Sequence, residues 1–143
     1  MTVEFRAPAT DADWIAYHAI RRRVLFELRG RGAVYDPNHP DDHVPGRYPF
    51  VLWDADEAVA VIRVDVQHGV ATLRRVAVRE DLQRQGYGRS LLRAAERFAS
   101  EQGCTHVVSH VDAGAVGFYE RCGFRRDEPT EGERSIPMSK RLP

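Results

Sequence analysis

The sequence predicts an α/β (α+β) fold, and three observations carry that prediction. Residues 73–78 form an apolar strand, a glycine-rich stretch follows, and Leu91, Leu92, Ala95, Phe98 and Ala99 then share one helical face. Ahead of this unit, residues 50–78 read as a meander of antiparallel strands separated by short polar turns. Behind it, residues 106–111 make a β-branched strand that runs into a short helical segment. A length of 143 residues fits a single domain, 1–143, with one sizeable core.

Taken in order, residues 3–6 are a short strand. Thr10, Asp11 and Asp13 are N-cap and first-turn residues, so a helix should follow. Trp14, Tyr17, Ile20, Val24, Leu25 and Leu28 keep helical spacing to about Arg29, where Gly30 and Gly32 end it. Arg21, Arg22 and Arg23 inside this helix either line solvent or anchor a neighbouring loop. Pro37, Pro40, Pro45 and Pro49 then exclude a long regular helix or a central strand between Gly30 and Pro49. Strands are expected at 50–53, 58–66 and 70–78, with turns at 54–56 and at His68-Gly69. The central helix should open near Arg89 and stop at Gly103. After the strand at 106–111, residues 113–121 form a short helix closed by Cys122-Gly123, 124–126 begin a strand, and 134–140 form a terminal one.

Composition narrows the function classes. With 43% hydrophobic and 29% charged residues the chain is globular rather than disordered. Lys+Arg and Asp+Glu both total 21, a formal net charge of +0, so overall charge favours neither nucleic acid nor a membrane surface as partner. No signal peptide or run of 18 apolar residues is indicated, and the expected location is the cytoplasm. Cys104 and Cys122 lack metal-ligand spacing and are expected to be reduced thiols. Lys140 is the sole lysine; arginine, which supplies the remaining basic charge, suits bidentate recognition of phosphate or carboxylate.

The stretch Gln83-Arg84-Gln85-Gly86-Tyr87-Gly88-Arg89 reads as a pyrophosphate cradle. A diphosphate needs several converging backbone N–H donors, which the first turn of a helix supplies. Gly86 and Gly88 let phosphate oxygens approach the main chain, and Arg84 and Arg89 add charge. The spacing is not that of a P-loop, and Leu91 stands where Gly-x-Gly-x-x-Gly would need its third glycine. A plain strand-to-helix turn is the alternative for the loop taken alone.

A second segment, Asp112-Ala-Gly-Ala115-Val-Gly-Phe118-Tyr119-Glu120-Arg121-Cys122-Gly123-Phe124, resembles the Asn-x-x-Ala-x-x-Phe-Tyr-x-x-x-Gly-Phe segment of the GNAT superfamily of N-acetyltransferases. The glycine loop is similar to that family's acetyl-CoA motif, and the likeness covers roughly residues 50–126. It implies a mixed, mostly antiparallel central sheet flanked by helices, with acetyl-CoA held where two parallel strands splay apart. Residue by residue, it implies that Val76, Ala77 and Val78 offer backbone groups to the pantetheine arm and acetyl carbonyl. Arg84, Gln85, Gly86, Tyr87, Gly88 and Arg89 would hold the pyrophosphate. Asp112, standing where the family has Asn, would lie on the pantetheine side without an amide donor. Tyr119 is the implied catalytic residue, a phenol that protonates the departing thiolate; the alternative is a core tyrosine with a satisfied hydroxyl. Phe118 is expected in the core.

The resemblance leaves the base open. An amine acceptor must lose a proton, and the strand at 73–78 has no carboxylate to take it. Asp65, His110, Glu131 and Glu133 are the candidates. The stretch from Asp36 to His43 could hold a metal, but its prolines deny helical ligand spacing, so no metal is expected and the loop is assigned to acceptor recognition or to plain solvation. The leading expectation is direct transfer of an acetyl group from acetyl-CoA to the primary amine of a small molecule or peptide, by a monomer or homodimer. The alternative is an acetyl-CoA-binding sensor or partner module without turnover.

Overall fold

A computed structural model describes residues 2–128 and 134–143. Among the described residues, seven strands form one sheet in the order β1-β2-β3-β4-β5-β7-β6, from β1 (Val3–Arg6), β2 (Arg47–Asp54), β3 (Glu57–Gln67), β4 (Val70–Val78), β5 (His106–Val111), β6 (Arg125–Arg126) and β7 (Ile136–Arg141). Every neighbouring pair is antiparallel except β4 and β5. Helix α1 (Asp11–Leu25) covers one face over β2 to β4. Helix α2 (Tyr87–Glu101) packs on the other face, and the short α3 (Val116–Arg121) belongs to the same apolar cluster.

Two cores follow from this three-layer arrangement. The larger lies between the sheet and α2, where Leu52, Ile62, Val64, Leu91, Leu92, Ala95 and Met138 are essentially inaccessible. The smaller, with Tyr17, Ile20, Val51, Val61 and Ala77, lies under α1. Burying a large side chain of this kind contributes about 1.5–3 kcal/mol, so both helix faces are strongly specified.

Local chemistry explains most boundaries. Of the N-cap and first-turn candidates, Thr10 is the cap, and it forms a capping box with Asp13. The helix ends earlier than its spacing predicts: Phe26 leaves helical geometry (φ −122°, ψ −60°) as its ring meets Tyr35, Glu27–Arg29 continue as a 3-10 turn, and Gly30 closes it at φ +72°. The expected helix at 113–121 is likewise split into a 3-10 turn, Ala113–Ala115, and α3. Strand β2 begins before the expected position 50 and contains Pro49. Pairing with β1 runs only from Val51 to Asp54, so Pro49 lies where β2 is locally an edge and needs no second ladder.

The feature that shapes the site is a bulge in β4. Val61 pairs with Ala77 while Arg63 pairs with Arg74, leaving an extra residue on β4, and Arg75 sits in the left-handed region at φ +56°. Pairing of β4 with β5 extends only from Val70↔His106 to Leu73↔Ser109. Beyond Leu73 the two strands run on without pairing to each other.

Candidate active site

At the mouth of that split stands the glycine loop. Arg84 (φ +67°) and Gly86 (φ +91°) both adopt left-handed geometry, and Gly86 caps α2. The first helical bond of α2 joins the Ser90 N–H to the Gly86 carbonyl, which leaves the N–H groups of Tyr87, Gly88 and Arg89 without helical acceptors. Alternating left-handed residues ahead of a helix N-terminus make a concave set of donors suited to an anion. Arg84, Gln85 and Gly86 are exposed, as such a cradle requires.

Tyr87 departs from the simplest picture. Its ring is buried in the larger core and its hydroxyl donates to Asp54 Oδ2, so toward the loop it presents its main chain. Gly88 is fixed by contact: a Cβ there would sit 3.1 Å from Phe118 Cζ. The two sequence motifs therefore touch, the glycine loop through Gly88 and the α3 segment through Phe118. Arg89 also lines a cavity of about 100 Å³ with Arg93, Arg121, Cys122 and Lys140.

Val76 and Val78 pack against the larger core while Ala77 faces α1, so their backbones run along the split. Tyr119 is 5% exposed, its ring between Phe118 and Phe124 at centroid distances of 5.5 and 5.2 Å. Its hydroxyl is hydrogen-bonded with the side chain of Ser109, the last residue of β5 that pairs with β4. Burial pushes the phenol above its ordinary range, and the Ser109 bond opposes this in part. A phenol kept protonated at the point where the strands part can donate a proton there.

Asp112 lies at the end of β5, and its exposed carboxylate accepts from Arg29 Nη2 at 3.1 Å. Asp65 is engaged by Arg63 at 2.8 and 3.0 Å and lies 3.8 Å from Arg47. His110, exposed, is the first β5 residue past the split. Glu131 and Glu133 lie outside the described residues.

The stretch from Asp36 to His43 is built into the fold rather than simply solvated. Asp42 is 6% exposed and accepts from Arg21 Nη1 at 2.9 and 2.7 Å and from the Tyr17 hydroxyl at 3.3 Å. Arg21 is thus a loop anchor, while Arg22 and Arg23 face solvent. A cavity of about 710 Å³ opens between α1 and this loop, walled by Trp14, His18, Tyr35, Pro37 and His43. His18 Nδ1 meets the Tyr35 hydroxyl, and burial holds the imidazole below its usual range while pushing Tyr35 up to about 12. Sequence reasoning missed this pair, which nothing local in the chain signals. It also missed the bulge, although a signal exists: the Arg74-Arg75 doublet between apolar Leu73 and Val76 breaks strict alternation.

Comparison with known proteins bears on the family and the fold. The model of the acetyltransferase (GNAT) family matches residues 14–124. A candidate acetyltransferase of Bacillus subtilis (strain 168) is 31% identical over 107 residues, 74% of this chain and 72% of that protein. The crystal structure of a candidate N-acetyltransferase from Lactobacillus plantarum superposes with a TM-score of 0.79 at 28% identity, covering 99% of each chain. An N-acetyltransferase from Thermoplasma acidophilum, in complex with coenzyme A, shares the fold at a TM-score of 0.76 and 14% identity over 99% of each chain.

Proposed function

We propose that this chain, which belongs to the acetyltransferase (GNAT) family of acyl-CoA N-acyltransferases, moves an acetyl group from acetyl-CoA directly to a primary amine. The observation that carries the proposal is the end of β4–β5 pairing at Leu73↔Ser109, with a left-handed donor loop at one side and the Tyr119 phenol at the parting point. Bound acetyl-CoA supplies the thioester whose acyl group is transferred.

The residues present suit that donor. The N–H groups of Tyr87, Gly88 and Arg89, with Arg84 and Gln85 beside them, would take the pyrophosphate. Val76, Ala77 and Val78, unpaired to β5, would offer main-chain groups to the pantetheine arm. Asp112 would sit near that arm, tied to Arg29. Reaction forms a C–N bond, breaks the C–S bond, delivers one proton to the thiolate and removes one from the amine. Tyr119 gives the first proton. His110 takes the second: it is exposed past the split, whereas Asp65 is committed to Arg63. Holding both reactants in one cleft supplies much of the rate. The proposal takes the cytoplasm as the compartment, where Cys104 and Cys122 stay reduced.

The test is a transfer assay over a panel of amines with mass readout. One acetylated product supports the proposal; tight acetyl-CoA binding with no product from any amine would leave a binding module instead.

A further inference from the structure

Outside the donor cleft, the α1 face of the sheet carries an unusual charge arrangement. Leu73 and Val76 both point into the larger core, so the bulge turns two consecutive residues, Arg74 and Arg75, to the opposite face. Arg74 is in register with Arg63, and Arg75 lies among Arg21, Arg63, Asp41, Asp42 and Tyr35. The carboxylates nearby are already committed: Asp42 to Arg21, Asp65 to Arg63, and Asp41 to Arg47 at 3.3 Å. Among the described residues, neither Arg74 nor Arg75 has an ion-pair or hydrogen-bond partner.

Beneath them the polar groups are incompletely satisfied. Arg63, with its side chain 5% exposed, has Nη1 without a hydrogen bond and 3.6 Å from Asp42 Oδ1. The buried Nε of Arg21 is also without a hydrogen-bond partner. Buried guanidinium donors are seldom left open. Arg75, near Arg21 and Arg63, follows Leu73, the last β4 residue paired to β5, and so lies on the stretch of β4 that borders the split.

We infer that Arg75, backed by Arg63, forms a carboxylate-binding subsite, so that the acceptor is a primary amine that itself carries a carboxylate. This deepens, and rests on, the proposed acetyl transfer. A guanidinium and a carboxylate pair through two parallel N–H···O bonds, which fixes orientation as well as affinity. Desolvation and the charges of Arg21 and Arg63 push the Arg75 guanidinium below its ordinary range, a crowding that an incoming anion relieves.

The experiment uses L-α-amino acids and ω-amino acids, each paired with its primary amide, in the acetyl-CoA transfer assay with wild type, Arg75→Gln and Arg75→Lys. The expected result is kcat/KM at least about 10-fold higher for the acids, carried by KM, an advantage that R75Q abolishes and R75K partly keeps. Equal kcat/KM for acids and amides in the wild type, or an unchanged preference in R75Q, would overturn the subsite while leaving acetyl transfer standing. If no amine of either kind is acetylated, the transfer reading fails separately. The subsite is then decided by melting temperature of the acetyl-CoA-loaded protein: a rise with acids alone that R75Q removes supports it, and no rise overturns it.

Discussion

Replacing Asp42 by Asn tests whether the loop after α1 is fixed by charge. Asp42 is the carboxylate that Arg21 meets at 2.7 Å, both side chains are at most 7% exposed, and Arg63 lies 3.6 Å away. Asn keeps the volume and one acceptor but removes the countercharge, leaving the Arg21 guanidinium buried without a carboxylate. Breaking a buried pair from one side costs about 3–5 kcal/mol, and the retained amide oxygen places D42N near about 3. For a chain of 143 residues, an unfolding entropy of about 2.1 cal/mol/K per residue converts this to a Tm drop of roughly 10 °C. Calorimetry or dye-monitored melting reads that value, and the double variant D42N/R21M separates charge from packing by recovering much of the loss. A Tm within about 2 °C of wild type, or no recovery in the double variant, would refute the reasoning that a desolvated ion pair ties loop to helix.

Other expectations concern chemistry and pH. Tyr119→Phe should lower kcat about 10²- to 10³-fold while acetyl-CoA still raises the melting temperature; full turnover would remove the phenol from the mechanism. His110→Gln should lower kcat/KM about 10²-fold near neutral pH, with the deficit shrinking at alkaline pH where the amine loses its proton to solvent; a pH-rate profile parallel to wild type would exclude His110 as base. Asp13 is held at about 2, first by its bond from Arg6 and then by the Ala9 N–H. Its folded value is depressed, so its contribution is present above the ordinary aspartate value of about 3.9 and is lost as pH falls toward 2. Wild type should therefore exceed Asp13→Asn in Tm at neutral pH, and the two should converge at the acid end of a titration.

Much of the architecture was legible because one physical rule governed each element. Alternation gave β3, an apolar run ahead of the glycine loop gave β4, a 3.6-residue period gave α2, and the N-cap and first-turn residues Thr10, Asp11 and Asp13 marked the start of α1. Pro49 misled because a proline rule for central strands does not know that the pairing of β2 with β1 ends at Val51. The donor loop was legible as a loop, since Gly86 adopts the left-handed geometry its missing Cβ permits; the left-handed turn at Arg84 was not legible, and Gly88 is needed for its close approach to Phe118 rather than for a positive φ. Tyr87 was not legible either, because the burial of its ring against Asp54 depends on a strand 33 residues away in sequence. Nor could sequence find Asp42 among the polar residues of its loop, as its burial is a contact with α1 and β3 that no local pattern encodes.

The short register between β4 and β5 has a mechanical meaning. Four pairs of residues join a four-stranded half of the sheet, β1 to β4, to a three-stranded half, β5 to β7. Beyond them the halves share no strand pairing and are joined through the core under α2, so a molecule lodged in the gap would act as a surrogate strand between them. Occupancy would then be written into the stiffness of the whole sheet: amide hydrogens of Val76 and Val78 should exchange readily with the gap empty and slowly with it filled.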